Sequence, residues 1–544
     1  RYGKDKTFVV PILSNCALAG LVPWSDVPPL PFEAAWLPQE LYRWARMPVV
    51  SYAIPALVAI GQARFHFAPP RNPLLRVLRR RGRGPTLRVL RNMQPASGGY
   101  LEATPLTSFV LMSLAAVGNG HLPVARDCLR FLLDSRLPDG SWPIDTNLAT
   151  WLTSLSIQAV ARRWGTCTLP SVAGGQTPDA TGDATEDGAE AAAARLSAEN
   201  SAVGSPAAAT VASPTSPVAE PLVTAQTVRW LLSCQHRRRH PFTGANPGGW
   251  GWTDLSGAVP DADDTPAALL ALHAIDWRPA ELQRLEQQAL DAVCQGLAWL
   301  LRLQNRDGGW PTFCRGWGTL PFDRSGTDLT AHVLRAFAAW LPQLDRVRAA
   351  AGRTVPQASQ LQAASRRGLA YLGRTQQPDG SWLPLWFGNQ DRPAEDNPAY
   401  GTGKVLLAYG ALGLQNCRPA QRGMDYLREN QNKDGGWGGG PSVRYPGLLG
   451  KPPLASGDFS STIEETAVAV EGLCSCSVQP RADATIMQAL DWLAQAVHSG
   501  NLRCSWPIGF YFAKLWYHER LYPAIFSLSA FGAALHPVRP NISR

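Results

Sequence analysis

Charge is scarce in this chain. Charged residues make up 17% of its 544 positions, below the quarter usual for soluble domains. Its ten cysteines include no CxxC pair, so neither zinc-site spacing nor a disulfide framework is legible, and a reducing compartment fits. The longest apolar segments are interrupted by charges, so no stretch reads as a membrane-spanning helix. No secretory signal is visible either, although the first residue is Arg1 rather than Met. Aromatic residues are missing from about 168 to 219, where Ala, Gly, Ser, Thr and Pro dominate. Such a composition cannot bury enough apolar surface to offset the entropy of ordering. Residues 168–224 are therefore expected to be a disordered insertion between a segment 1–167 and a longer one, 225–540.

What is present is unevenly placed. The net charge of +9 is nearly accounted for by "RNPLLRVLRRRGRGPTLRVLR", residues 71–91, with eight arginines and no acid. These arginines alternate with Leu and Val rather than with aromatic stacking residues, which argues against nucleic acid. An anionic membrane surface and a solvated loop are the two readings left. Tryptophan is unusually common, 20 against 16 Phe, and repetition explains much of it. "QGLAWLLRLQNRDGGW" (295–310), "RGLAYLGRTQQPDGSW" (367–382) and "RGMDYLRENQNKDGGW" (422–437) share Gly, an aromatic, Gln and a terminal Gly-x-Trp at matching offsets. Weaker copies end at Tyr100, Trp142 and Trp250. Each unit has helical periodicity, stops at a Pro/Asp/Gly turn and resumes in an apolar helix. A unit of this kind cannot bury its apolar face alone, so the copies must stack into a solenoid or close into an α/α barrel. The repeated Gln ties each turn to its neighbour and the ring caps the helix end. Trp310, Trp382 and Trp437 are thus scaffold.

Residues 259–270, "VPDADDTPAALL", set Asp261, Asp263 and Asp264 against an apolar run. Mutual repulsion and apolar surroundings both favour retention of a proton, and the titrations of such neighbours are coupled. Thr265 is the expected N-cap of the following helix and Pro266 its first residue. In "TDLTAHVLRAF" (327–337), Asp328 and His332 are four apart, on one helical face.

The acid motif together with the Gln…Gly-x-Trp repeats resembles the squalene–hopene cyclases, within the class II terpene cyclases. "PGGWGWTDLSGAVPDADDT" (247–265), "YGTGKVL" (400–406) and "NCALAGLVPWSDVPPLPFE" (15–33) extend the likeness over most of the chain outside the insertion. The resemblance implies an all-α fold of two α/α barrels, the catalytic one over 225–540. The other, in 1–167, would be incomplete, since the family pattern begins upstream of Arg1. It makes Asp263 the acid that protonates a terminal alkene of squalene, with Asp261 and Asp264 as supporters. His332 would hydrogen-bond the donor and stay charged beside the carboxylates, with Asp328 next to it. Tyr400 matches a tyrosine near the proton-return water network. Trp250 and Trp252 align with two phenylalanines upstream of the acid motif, Trp386 with a pocket tryptophan, and Phe510, Tyr511 and Phe512 with a C-terminal aromatic cluster. Such rings stabilise a migrating carbocation without quenching it.

Neither metal nor cofactor is called for. The implied setting is monotopic attachment to a bacterial cytoplasmic membrane, with 71–91 as the contact, and it admits a homodimer. The product would be a hopene-like polycyclic triterpene of hopanoid biosynthesis. Asn15 stands where hopene cyclases commonly have a tryptophan, so the product can differ. The competing readings are a cyclase of another polyprenyl substrate and a non-catalytic α/α-barrel relative. A protein prenyltransferase β-like barrel would need a zinc site that the sequence lacks. An α/α-barrel glycosidase would need a polar, sugar-binding surround.

Overall fold

A computed structural model describes residues 9–44, 53–164, 223–241, 243–313, 315, 321–351, 355–441, 443, 460–510 and 515–536. The expected insertion at 168–224 lies almost wholly outside the described residues. The segments before and after it belong to one contact-rich unit.

Helices dominate, and we number them along the chain. The first seven are α1 (Val9–Leu18), α2 (Gln39–Trp44), α3 (Ile54–Phe67), α4 (Pro73–Asn92), α5 (Thr104–Ala116), α6 (Pro123–Asp134) and α7 (Ala149–Trp164). Then come α8 (Ala225–Ser233), α9 (Asp264–Ala274), α10 (Ala280–Leu303), α11 (Thr327–Trp340), α12 (Leu344–Ala350) and α13 (Ala358–Thr375). The last are α14 (Pro398–Ala411), α15 (Arg418–Glu429), α16 (Ile463–Cys476), α17 (Ala484–His498) and α18 (Tyr522–Leu535). Besides short 3-10 turns there are two short antiparallel pairs: β1 (Trp437–Gly440) with β2 (Ser460–Thr462), and β3 (Ile508–Phe510) with β4 (Leu515–Tyr517).

The helix contacts close a ring. α7 packs on α9, α9 on α11, α11 on α14, α14 on α16, α16 on α18, and α18 returns to α7. Outside it, α10 and α13 pack against α9 and α11, α15 against α14 and α16, and α17 against α16. Sequence explains which helix goes where. Ring helices are the more deeply buried: in α16 thirteen residues from Ile463 to Cys476 are buried, Glu464, Glu465 and Glu471 among them. The outer α15, "RPAQRGMDYLRE", buries only Ala420, Gly423, Met424, Tyr426 and Leu427, one stripe of an amphipathic helix. The ring is an α/α barrel, and it takes α7 from the segment that the sequence reading placed in the first domain. Of the earlier helices, α3 packs against α1, α4 and α5, and α5 against α6.

The repeats act as clasps. In each strong copy the Gln amide donates to two carbonyls, one in its own turn and one on the next outer helix. Gln304 reaches Gly308 and Ala364, Gln376 reaches Gly380 and Pro419, and Gln431 reaches Gly435 and Thr485. The Trp indole N–H closes the preceding helix end: Trp310 to Leu300 O, Trp382 to Leu372 O, and Trp437 to Leu427 O, at 2.7–2.8 Å. Orphan carbonyls of a helix terminus are thereby satisfied in the interior. The Gly two residues before each Trp has no substitute. Gly308 and Gly380 both have φ of 95°, and a Cβ at either would strike a carbonyl oxygen of the next outer helix.

The basic stretch 71–91 is a helix, α4, rather than the loop that was one of its two readings. Asn72 caps its start by accepting from the N–H groups of Leu74 and Leu75. One of its arginines, Arg79, is buried and paired with Glu33 at 3.1 Å. Leu74, Val77 and Leu78 are exposed, at the i, i+3, i+4 spacing of a single helix face. No helix among the described residues is long and apolar enough to cross a membrane.

Candidate active site

Ring helices begin where the chemistry sits. Asp263 and Asp264 are at the start of α9, Asp328 at the start of α11, Tyr400 at the start of α14, Glu464 and Glu465 at the start of α16, and Tyr522 at the start of α18. Helix N-termini gathered in this way favour negative charge among them.

Asp263 Oδ1 and His332 Nδ1 are 2.7 Å apart. Oδ1 is engaged by His332, and a quarter of the Asp263 side chain is exposed. The expected cap residues are shifted. α9 starts at Asp264 with Asp263 in the N-cap position, and the carboxylate that satisfies its first donors is Asp261. Asp261 Oδ1 accepts from the N–H groups of Asp263 at 2.8 Å and Asp264 at 2.7 Å. Thr265, the expected cap, instead bonds the backbone of Trp250 in both directions. A carboxylate makes the better acceptor for clustered N–H groups, and it fixes the backbone of Asp263.

Burial governs the charges. It pushes Asp261 up to about 7, against hydrogen bonds that pull it down. It holds Asp264 well above the carboxylate range, with Asp261 and Asp263 adding repulsion. Asp328 is pushed up to about 7 by burial and by Asp263, and its Oδ1 accepts from the Leu385 N–H at 3.0 Å. His332 departs from expectation. Desolvation lowers its pKa more than the Asp263 hydrogen bond raises it, and the positive charges of Arg335 and Lys404 lower it further. Its Nε2 is buried and has no hydrogen-bond partner among the described residues. Both observations fit a neutral imidazole that donates from Nδ1 to Asp263, rather than an imidazolium held by the acids.

Asp263, Asp328, His332, Arg335, Tyr400 and Lys404 line a small cavity with room for roughly one water molecule. A group of rings is tied to the acid loop. Phe313 stacks on Phe322 at 5.1 Å and meets Trp252 at 6.0 Å and Trp386 at 6.3 Å. Thr312 ties these rings to the acid: its carbonyl accepts from the Ala262 N–H, and its hydroxyl from the Trp386 indole at 2.9 Å.

Comparison with known proteins decides the family. The family model for the squalene–hopene cyclase C-terminal domain matches residues 205–536. The chain belongs to the squalene–hopene cyclase family. It is 32% identical over 285 residues to the terpene cyclase–glycosyl transferase fusion protein fsoA of Humicola fuscoatra, covering 49% of this chain and 19% of that protein. It is 27% identical over 255 residues to the squalene–hopene cyclase of Zymomonas mobilis, 46% of this chain and 34% of that one. These matches span about a fifth to a third of the relatives' length. Among solved structures, the type II terpene cyclase MstE from Scytonema matches at 16% identity with a TM-score of 0.37, covering 71% of this chain and 87% of that one. The ent-copalyl diphosphate synthase from Streptomyces platensis matches at 17% and 0.36, over 97% and 99%.

Within this squalene–hopene cyclase family member, the expected residues separate into groups. Asp261, Asp263, Asp264, Asp328, His332 and Tyr400 come together, and Trp252 and Trp386 share the ring group. Trp250 does not join them. It is fully buried in the core between ring and outer helices, its indole donates to Leu231 O at 2.8 Å, and its turn is tied by Gln235 to Gly248 and Ala292. These are the bonds of a scaffold tryptophan, and the "NPGGW" that ends the longer-looped repeat is the signal for them. Phe510 closes β3, which reaches the Trp386 loop through a Gly388 N–H to Gly509 O bond. Tyr511 and Phe512 lie outside the described residues.

Several residues beside the acid carry no motif. Phe387 packs on Tyr400 at 4.8 Å. Trp151 of α7 meets His332 and hydrogen-bonds Tyr522. Phe313, Phe322, Arg335 and Lys404 complete the surround. Nothing short-range in the sequence marks them, because each arrives on a different helix or loop.

Proposed function

We propose that this protein is a triterpene cyclase that protonates a terminal alkene of squalene and guides the resulting cation to a polycyclic, hopene-like product. The observation that carries this reading is the Asp263–His332 pair, set among buried acids and next to a wall of rings.

An isolated alkene is a poor base, so its protonation needs a strong acid shielded from water. Asp263 presents Oδ2 while Oδ1 takes the His332 N–H. As the proton leaves, that bond and the gathered helix N-termini hold the new carboxylate. Asp261, Asp264 and Asp328, inclined to keep their protons near neutrality, do not repel it. The ring group of Trp252, Phe313, Phe322 and Trp386 then offers π faces to the migrating charge, worth about 2 kcal/mol each when desolvated. Deprotonation of the final cation completes an isomerisation in which no atom is gained or lost, and the water-sized cavity at Tyr400 suits proton return to Asp263.

A substrate that partitions into lipid favours peripheral attachment to a membrane, the bacterial cytoplasmic membrane in the reading above. The arginines and exposed Leu74, Val77 and Leu78 of α4 make it the candidate contact. The test is mass analysis of products from squalene with the protein and with Asp263→Asn. We expect turnover to fall by about 10²–10⁴-fold, the usual weight of a general acid, with the fold kept. Equal turnover by the two proteins would end the proposal. Cyclisation of a shorter polyprenyl chain with squalene left untouched would transfer it to that substrate.

A further inference from the structure

The loop that delivers the acid is held by chain from well before it. Residues 250–261 are closed at the base, where the Asp261 N–H donates to Trp250 O at 2.9 Å. The crest of this loop is stitched to the segment 96–151. Ser256 Oγ accepts from the Ala96 N–H at 3.0 Å, and Thr253 Oγ1 donates to Asn147 Oδ1 at 2.6 Å. Trp252 O accepts from two N–H groups in the first turn of α7, Thr150 at 3.0 Å and Trp151 at 3.3 Å. A fully buried stitch belongs to Glu102. Its side chain has no exposed surface, and its Oε1 accepts from the Gly257 N–H at 2.7 Å and from the Ser97 hydroxyl at 2.9 Å.

We propose that Glu102 is a positioning residue: by holding Gly257 it fixes the loop that leads into Asp263, so that the segment ahead of α7 sets where the acid points. The inference rests on the cyclase reading above.

Backbone strain and burial both mark Glu102. Leu101 and Glu102 have φ of 57° and 53°, a left-handed conformation unfavourable for residues with a Cβ and seldom adopted by two in succession. Backbone bonds keep the pair there: the Glu102 N–H donates to Gly99 O, and Glu102 O accepts from the Thr146 N–H, both at 3.2 Å. Strain that the surroundings over-determine in this way collects at functional sites. The other carboxyl oxygen, Oε2, is buried with no hydrogen-bond partner among the described residues. Packing alone would favour an apolar side chain over that arrangement. Burial raises the pKa of the carboxyl, and Oε1 accepts from Gly257 in either charge state. The other side of the contact is equally specific. A Cβ at Gly257 would lie 2.5 Å from Glu102 Oε1, so only glycine lets the carboxyl reach the backbone. The next residue is held from a second direction. His240 Nδ1 accepts from the Thr243 N–H at 3.2 Å, so its Nε2 carries the proton and donates to Ala258 O at 2.8 Å. Three residues on is Asp261, whose Oδ1 holds the N–H groups of Asp263 and Asp264. A shift at Gly257 therefore has a short path to the acid. If the bond at the base of the loop fixed Asp261 by itself, changes at the crest would stop there.

The experiment uses the full chain with Glu102→Met, which removes the acceptor, Glu102→Gln, which keeps it, and Ser97→Ala, which loosens the carboxyl without removing it. The first readout needs no substrate: amide hydrogen exchange over 257–264, with α17 as the reference. Glu102→Met should speed exchange at residues 257, 263 and 264 about tenfold, as the loss of a buried hydrogen bond does, and Glu102→Gln should leave it unchanged. A change confined to residue 257, or an equal change in α17, would overturn the inference. Should Glu102→Met fail to fold, Ser97→Ala decides: exchange about threefold faster at residues 263 and 264 supports the inference, and an unmoved pair overturns it. The second readout is squalene turnover. A displaced acid lowers the rate of the chemical step rather than binding, so Glu102→Met should reduce kcat about 10²-fold with KM unchanged, and Glu102→Gln should restore most of it. An unaltered kcat despite faster exchange at 263 and 264, or a loss in Glu102→Gln as large as in Glu102→Met, would overturn the inference. Faster exchange at those residues in a protein that cyclises nothing keeps the anchoring of the loop and removes the cyclase reading.

Discussion

The indole of Trp151 stands edge-on to the imidazole of His332, centroids 5.9 Å apart and planes at 76°. Its N–H reaches the Tyr522 hydroxyl at 2.8 Å. One side chain from α7 therefore braces the histidine on α11 and the tyrosine on α18. Trp151→Ala should cost about 3–5 kcal/mol, the usual loss for a buried aromatic. It should also lower turnover, because His332 loses its backing. Trp151→Phe keeps the edge contact, loses one hydrogen bond worth about 1 kcal/mol, and should retain most of the turnover. Denaturant unfolding and product analysis of the two variants check this.

Asp261 has a backbone task that Asp263 lacks, so the two should respond differently to substitution. Asp261→Asn keeps the oxygen that accepts from residues 263 and 264, and removes a buried ionisable group. We expect stability within about 0.5 kcal/mol of the parent and turnover within about tenfold. Asp261→Ala loses both bonds, should cost about 1–2 kcal/mol as a lost helix cap does, and should displace the donor. Turnover in Asp261→Asn as low as in Asp263→Asn would make Asp261 a proton carrier rather than a cap.

Glu464 offers a test through stability against pH. It is buried, accepts from the Trp506 N–H at 2.8 Å, and burial pushes it up to about 8 from an ordinary value of 4.5. A raised carboxyl contributes fully below its unfolded pKa and loses that contribution as pH rises through the folded one. His236 and His240, lowered to about 4 by burial, act oppositely, but only below about 6.5. Between pH 7 and 8 Glu464 should contribute a decline of about 1 kcal/mol, and the raised acids Asp261, Asp264 and Asp328 add to it in the same direction. Glu464→Gln, which keeps the acceptor, should make the decline shallower by about its own share. Unfolding midpoints at pH 7.0, 7.5 and 8.0 measure it.

The clasps and the acid motif were legible because each is short-range. Gln304 and Trp310 lie in one turn, and the spacing of Asp261 and Asp263 alone draws a carboxylate over a helix start. His332 was found by its resemblance to a family motif, and its neutral state was not, since that depends on burial and on the cations Arg335, of its own helix, and Lys404, of α14. Trp250 was misplaced because an alignment with pocket phenylalanines outweighed its own repeat, whose glycines and Gln235 mark it as scaffold. Arg335, Lys404 and Glu471 carry no motif and are single charges in otherwise largely buried helices. Only closure of the ring turns them inward together.

That closure depends on one stave cut from an earlier length of chain. α7 ends at 164, and the next described residue is 223, so the cask is hooped across a long connection. The entropy of closing such a connection grows only with the logarithm of its length, about 0.6 kcal/mol for each doubling. Lengthening or trimming the connection is therefore nearly free for the barrel, whereas the loss of a single packed stave would open the acid to water. Sequence there can drift in size and composition while the six staves stay fixed.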